Sequence, residues 1–206
     1  MTPQKAAMKP MGEIVKELDN PKLIFVMFLT TMIVTASTMS IDPIISLYVR
    51  SLMHNHGNVA FVAGVVAATP GLGTLIAASK IGHTMDRIGP ERVLRVGLTV
   101  AFVLFIPMTF THSPWSLAFW RFLLGLANAA LMPATQTVLT LDVPTEAFGR
   151  IFSYNQSFQA GGAVLGSLLG SAISGLSSYP MVFAVTGLTL LVNLALVLMV
   201  RTPKKA

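Results

Sequence analysis

The sequence contains no cysteine among its 206 residues and is poor in charge. Without cysteine, the chain has no disulfide framework, thiol nucleophile or thiolate metal ligand. Charged residues make up 11% of the chain, whereas soluble domains carry about 25%. Residues 1–20 also lack a short apolar segment followed by a small-residue cleavage site, so we do not expect a cleaved signal peptide.

The sequence lacks the residues that several classes of protein function require. The net charge of +6 comes without the mixture of aromatic and basic side chains that grips nucleic acid. No GxxxxGK loop for a nucleotide is present, and His54 and His56 alone do not make a metal site, so no cofactor or metal is predicted. An intramembrane serine enzyme is disfavoured because all four histidines fall in predicted loops, away from the buried Ser167: His54, His56, His83 and His112.

Long apolar runs dominate what the sequence does contain. Hydrophobic residues make up 53% of the chain and the mean hydropathy is +0.71, which is more apolar surface than one small globule can bury. Each run has about the 20 residues that a membrane-spanning helix needs. The pattern predicts an all-α, multi-pass integral membrane protein with six transmembrane helices, from runs at residues 21–49, 59–79, 93–111, 115–140, 150–176 and 181–200.

The runs divide the chain into three parts. Residues 1–20 form a leader, for which an amphipathic surface helix and a solvated linker both fit. Residues 21–201 form the six-helix bundle, and residues 202–206 form a short tail. Basic residues mark the cytoplasmic side of short loops, and one assignment of sides places all lysines and arginines except Arg50 and Arg121 there. Both termini are therefore predicted to be cytoplasmic.

The polar stretch from Lys80 to Arg95 separates the second and third runs and predicts a cytoplasmic loop. Within it, Gly82, Asp86, Arg87 and Gly89 form the pattern GxxxDRxG, which looks like the cytoplasmic-loop signature of the major facilitator superfamily. The family places a basic pair directly after the second glycine, whereas here Pro90 and Glu91 precede Arg92. This weaker form is similar to the copy in C-terminal halves of the family.

Other segments extend the resemblance over nearly the whole chain. DNPKLIF and DPIISLYV are similar to the central linker and seventh helix of drug and proton antiporters. Arg121, Gly125 and Pro133 resemble the tenth helix, and GRIFSYNQSFQAGGAVLGSLLG resembles the eleventh. The family normally has twelve helices, so the chain resembles its C-terminal six-helix half and would need an N-terminal half or a second copy.

The resemblance implies a fold and a function. The six helices would form two inverted three-helix repeats, with Pro43 and Pro133 breaking the first helix of each. The half would rock against its partner by alternating access and export drug-like or amphipathic molecules in exchange for protons. Transport of another solute, such as a sugar or metabolite, and a truncated, non-transporting scaffold remain alternatives. Gly82, Asp86, Arg87, Gly89 and Arg92 would form a cytoplasmic gate.

Asp42 is the only acid inside the apolar runs, and Arg121 is the only base that lies away from their ends. Counting along the first and fourth helices places both in the outer third of the membrane. Because an unpaired charge there is costly, we predict that they form an ion pair and that protonation of Asp42 releases Arg121. The alternatives are that Asp42 caps the break at Pro43, or that each side chain reaches water separately.

Amides and glycines are the other candidate residues. Asn128, Gln136, Asn155 and Gln159 could line a translocation cavity, although such amides also bind neighbouring helices without meeting a substrate. Gly162 and Gly166 lie on one helix at a spacing that lets a neighbouring backbone approach closely. Tight packing without gating fits these glycines equally well.

Overall fold

The computed structural model of the protein describes residues 20–54 and 56–200, with Glu146 described by its backbone alone. The predicted leader and tail lie almost entirely outside these residues. The described part contains no β-strand and has seven α-helices and one short 3-10 turn, Thr145–Ala147. The helices are α1 (Pro21–Met39), α2 (Ile45–Leu52), α3 (Val59–Ile88), α4 (Pro90–Thr109), α5 (Pro114–Asp142), α6 (Phe148–Leu176) and α7 (Tyr179–Met199).

Five of these helices, α1, α3, α4, α5 and α7, are long and apolar enough to cross a membrane. The α6 helix has 29 residues, but its amides, glycines and serines lower its hydropathy. The all-helical membrane fold is confirmed, whereas a sixth span and the inverted repeats stay predictions. Large apolar side chains cover the outside of the bundle, among them Leu75, Leu176 and Met199, as expected for a surface in contact with lipid.

The first apolar run forms two helices rather than one. The α1 helix ends at Met39, and α2 begins at Ile45 after a turn that contains Asp42 and Pro43. Proline cannot donate a backbone hydrogen bond and disfavours helical geometry in the residue before it. The predicted break at Pro43 is therefore present, and it places Asp42 in the turn.

Two other predictions about local structure are wrong. Pro133 does not break its helix, because α5 continues through it from Pro114 to Asp142. The stretch from Lys80 to Arg95 is not an extended loop: α3 runs to Ile88, and α4 begins at Pro90. Lysine, arginine and glutamate are good helix formers, so this charged segment keeps a helical backbone except at Gly89.

Glycines bring α1 and α6 into close backbone contact. A Cβ atom on Gly162, Gly166 or Gly170 would overlap the α1 backbone at Met32, Ala36 and Ser40, respectively. Both sets of residues advance by four, so α1 and α6 run parallel. A close backbone contact of the same kind joins α3 to α5, where a Cβ on Gly125 would overlap the backbone of Pro70.

Polar contacts hold α1 and α2 to the other helices. Thr30 Oγ1 donates to Asn193 Oδ1 at 3.0 Å, and the hydroxyls of Ser40 and Thr186 lie 2.9 Å apart, so α7 runs antiparallel to α1. At the end of the bundle, Tyr48 Oη donates to the backbone carbonyl of Thr111 at 3.0 Å. These contacts join α1 and the turn after it to α7, and α2 to the segment between α4 and α5.

Candidate functional site

A cleft of about 330 Å³ lies where α1, α3, α4 and α5 meet. The α1–α2 turn places Asp42 at the cleft, and the second turn of α5 supplies Arg121. Elsewhere the lining combines hydroxyls and an amide with apolar side chains. The lining residues are Ser37, Thr38, Ile41, Asp42, Ala67, Pro70, Gly71, Thr74, Phe105, Arg121, Leu124 and Asn128.

Asp42 and Arg121 form an ion pair at this cleft. Arg121 Nη2 donates to Asp42 Oδ1 at 3.3 Å. The two partners differ in environment, because the Arg121 side chain is 5% exposed and that of Asp42 is 46% exposed. Within the described residues, Arg121 Nε has no hydrogen-bond partner. Loss of Asp42 would therefore leave a buried cation without its counter-charge, whereas loss of Arg121 would leave a carboxylate that water can reach.

The four amides proposed as cavity-lining residues do not lie around one cavity. Asn128 lines the cleft, whereas Gln136, two turns further along α5, is exposed. Asn155 is buried at 3% exposure on α6, and its Oδ1 has no partner among the described residues. Gln159 is half-buried on α6. Neither α6 amide lines the cleft, so the structure groups only Asn128 with the ion pair.

Sequence reasoning did not identify several residues that line the cleft. Thr38, Thr74 and Phe105 contribute to it, and each lies within an apolar run where such residues are common. Thr74 is held by a hydrogen bond from its Oγ1 to the Gly125 carbonyl at 3.0 Å. One usable signal was the closeness of Thr38 to Asp42 in the chain, since the Asp42 backbone N–H donates to the Thr38 carbonyl at 3.3 Å.

The GxxxDRxG residues lie at the opposite end of α3 from Asn58, the residue that caps its start. Gly82, Asp86 and Arg87 are exposed in the last two turns of α3, and Arg92 is exposed in the first turn of α4. Gly89 forms the whole connection, with φ 87° and ψ 146°. This conformation is essentially restricted to glycine, so Gly89 has a backbone role that Gly82 does not share.

Replacing Gly89 with alanine is therefore expected to destabilise the protein by about 1 to 3 kcal/mol. Gly82 is helical and has open space around it, so Gly82→Ala is expected to stabilise by about 0.8 kcal/mol through helix propensity. Thermal unfolding of both variants in detergent micelles measures the difference. Equal effects of the two changes would contradict a special backbone role for Gly89.

Comparison with known proteins relates these features to a family. Residues 25–206 match the model of the Major Facilitator Superfamily. The multidrug resistance protein MdtG of Salmonella arizonae is 47% identical over 189 residues, which cover 92% of this chain and 47% of that protein. The MdtG proteins of Salmonella newport and Salmonella heidelberg match to the same extent. The chain thus spans about half the length of the curated relatives that it matches.

The matched range includes the cleft, the ion pair and the Gly82–Gly89 segment. It also includes all five helices that are apolar enough to span a membrane, except for the first turn of α1. These findings confirm the resemblance inferred from the sequence and show an integral membrane protein. The chain therefore belongs to the Major Facilitator Superfamily.

Proposed function

We propose that the chain forms one half of a secondary transporter that exports drug-like or amphipathic molecules in exchange for protons. The observation that carries this proposal is the 3.3 Å contact between Arg121 and Asp42 at the cleft. Ionisable residues inside membrane proteins are expensive and commonly lie on ion pathways. Membership in the superfamily, together with similarity to proteins named for multidrug resistance, favours transport over catalysis.

Protonation of Asp42 would change the strength of this contact. A neutral carboxyl loses its charge attraction to Arg121, which is stronger in a low-dielectric interior than in water. The α1–α2 turn and the start of α5 could then separate, and renewed loss of the proton would bring them back. This two-state contact would couple proton uptake to the rocking of one six-helix half against another.

The second half would come from an N-terminal six-helix unit or from a second copy of the chain. Support comes from the match to 47% of the length of each MdtG relative. Support also comes from α3, the least buried of the five apolar helices, which offers a wide face to a partner or to lipid. Consistent alternation of the helices would place both termini in the cytoplasm.

Proton movement in lipid vesicles tests this function. The chain is reconstituted alone and together with the N-terminal half of an MdtG relative, in vesicles that contain an acidic buffer and a pH-sensitive dye. We expect ethidium, a lipophilic cation, to enter and to drive protons out when both halves are present. The same exchange by the chain alone would identify a second copy as the other half. Vesicles containing the double variant Asp42→Asn, Arg121→Met, which removes both charges, serve as the control and should lose this exchange. Ethidium uptake with no proton movement in the unchanged protein would overturn the proposal.

A further inference from the structure

Two threonine hydroxyls on α1 have no hydrogen-bond partner among the described residues. They are Thr31 Oγ1 and Thr35 Oγ1, and both atoms are inaccessible from the surface. The Thr31 side chain is 1% exposed. Nine other helical threonines donate to a carbonyl three or four residues earlier: Thr38, Thr69, Thr84, Thr99, Thr109, Thr135, Thr137, Thr140 and Thr189.

These hydroxyls continue a polar line that begins at the ion pair. Thr31, Thr35 and Thr38 are separated by four and three residues, so they share one face of α1. Asp42 follows in the turn, where its backbone N–H donates to the Thr38 carbonyl at 3.3 Å. Thr38 and Asp42 line the cleft. At 1.5 Å per residue, Thr31 lies about 16 Å along the chain axis from Asp42. The line therefore leads from the cleft toward the middle of the bundle.

An amide on α5 faces the same region. The alternating directions of the long helices make α5 antiparallel to α1. Asn128 lies seven residues beyond Arg121, and Thr35 lies seven residues before Asp42. Because Arg121 and Asp42 are in contact, Asn128 and Thr35 are at the same depth. Asn128 also lines the cleft, which gives the line a second set of donors and acceptors.

We propose that water molecules occupy this line, from the cleft past Thr35 to Thr31, and that they carry protons to Asp42. A buried polar group without a protein partner is the usual position of an ordered internal water. In each transfer, one oxygen loses an O–H bond while its neighbour forms one. At the end of the line a hydronium ion becomes water, and the Asp42 carboxylate becomes a neutral carboxyl. The proton part of this proposal rests on the proposed function.

The charges at the cleft favour protons over a metal cation. The charged groups that line it are Asp42 from the α1–α2 turn and Arg121 from α5. The lining residues contributed by α3 and α4 are uncharged: Ala67, Pro70, Gly71, Thr74 and Phe105. A sodium ion bound to Asp42 would lie beside the Arg121 guanidinium and be repelled by it. A proton that is transferred to Asp42 forms a neutral carboxyl and leaves neutral water, so no second cation stays beside the guanidinium.

Silver-ion labelling tests the water without requiring transport. The chain has no cysteine, so Thr31→Cys and Thr35→Cys each introduce a single thiol. Thr30→Cys is the matched control for position 31, because Thr30 is as buried as Thr31 but its hydroxyl is bonded to Asn193. Membranes are exposed to Ag⁺, and the remaining thiols are labelled with a fluorescent maleimide after denaturation. We expect at least tenfold faster reaction at positions 31 and 35. Equally slow reaction at all three positions would show a dry line.

Valine substitution tests the passage of protons. The double variant Thr31→Val and Thr35→Val keeps the side-chain shape and removes both hydroxyls, and the corresponding serine variant restores them. We expect ethidium-driven proton movement to fall about tenfold with valine and to recover with serine. Exchange of ethidium for ethidium across the membrane, which moves no net protons, should be unchanged in both variants. Thr135→Val, which removes a hydroxyl already bonded to the Leu131 carbonyl, is the control.

The outcomes separate this proposal from the proposed function. If the unchanged protein moves protons and the valine variant moves them equally fast, the line does not carry protons. If the unchanged protein moves no protons, both the proposed coupling and the passage of protons fail, and the silver labelling alone decides whether water is present. A higher unfolding temperature in the valine variant, together with slow silver labelling, would identify two dry hydroxyls.

Discussion

Replacing Asp42 with asparagine is expected to destabilise the folded protein by about 3 kcal/mol, because it leaves the buried Arg121 without its counter-charge. Arg121 cannot easily move to water, since its side chain is 5% exposed and lies in the second turn of a helix that is packed on several sides. Removing one partner of a buried pair is generally more harmful than removing both. Thermal unfolding in detergent micelles measures this loss.

The opposite substitution is expected to have a much smaller effect. Arg121→Met leaves Asp42 unpaired, but Asp42 is 46% exposed and can be hydrated in the cleft. We expect a loss of less than about 1 kcal/mol, as for exposed ion pairs. The double variant Asp42→Asn, Arg121→Met should regain most of the stability that Asp42→Asn alone loses. If Arg121→Met lowered the free energy of unfolding more than Asp42→Asn does, the difference in burial between the two side chains would not explain the effect of losing either one.

Replacing Gly166 with alanine is expected to be at least as harmful, because the new Cβ would overlap the Ala36 carbonyl of α1. A flexible side chain could move aside, but a helix backbone cannot do so without separating the two helices. Overpacking of a well-packed interior costs about 1 to 3 kcal/mol and occasionally more. We expect a value at or above the upper end of this range, measured as the change in unfolding free energy in mixed micelles.

Gly161 and Gly162 offer a matched comparison within one helix. Gly162 faces the Met32 backbone, whereas a Cβ on Gly161 would meet nothing within 4 Å. Gly161→Ala should therefore be neutral or stabilise α6 by up to about 0.8 kcal/mol, while Gly162→Ala should destabilise it in the same way as Gly166→Ala. If both alanines were tolerated, the close α1–α6 contact would not be required for folding.

The ion pair could be predicted because charge is rare in this sequence. Asp42 is the only acid in the apolar runs and Arg121 is the only base away from their ends, and counting residues gave them similar depths. The structure brings them within 3.3 Å. Thr38, Thr74 and Phe105 could not be found in this way, because hydroxyl and aromatic side chains are common in membrane helices whether or not they face a cleft.

Helix boundaries were harder to predict than helix positions. A proline late in an apolar run predicted a helix break at both Pro43 and Pro133. The helix ends shortly before Pro43, but it continues through Pro133. Pro133 is flanked by the buried residues Leu131 and Ala134, so packing on neighbouring helices holds α5 together although one backbone hydrogen bond is lost. Charge in the segment from Lys80 to Arg95 indicated exit from the membrane but carried no information on whether the backbone stays helical.

The Tyr48 hydrogen bond to Thr111 gives the short helix α2 a mechanical role. Tyr48 is in the middle of an eight-residue helix that is about 12 Å long, and Asp42 is in the turn at one end of it. If α2 tilted about the Tyr48 contact, the carboxylate of Asp42 would move relative to the guanidinium on α5. An antibody fragment that grips the exposed edge of α2 at Leu47 and Arg50 could therefore strain the ion pair from a distance, without entering the cleft.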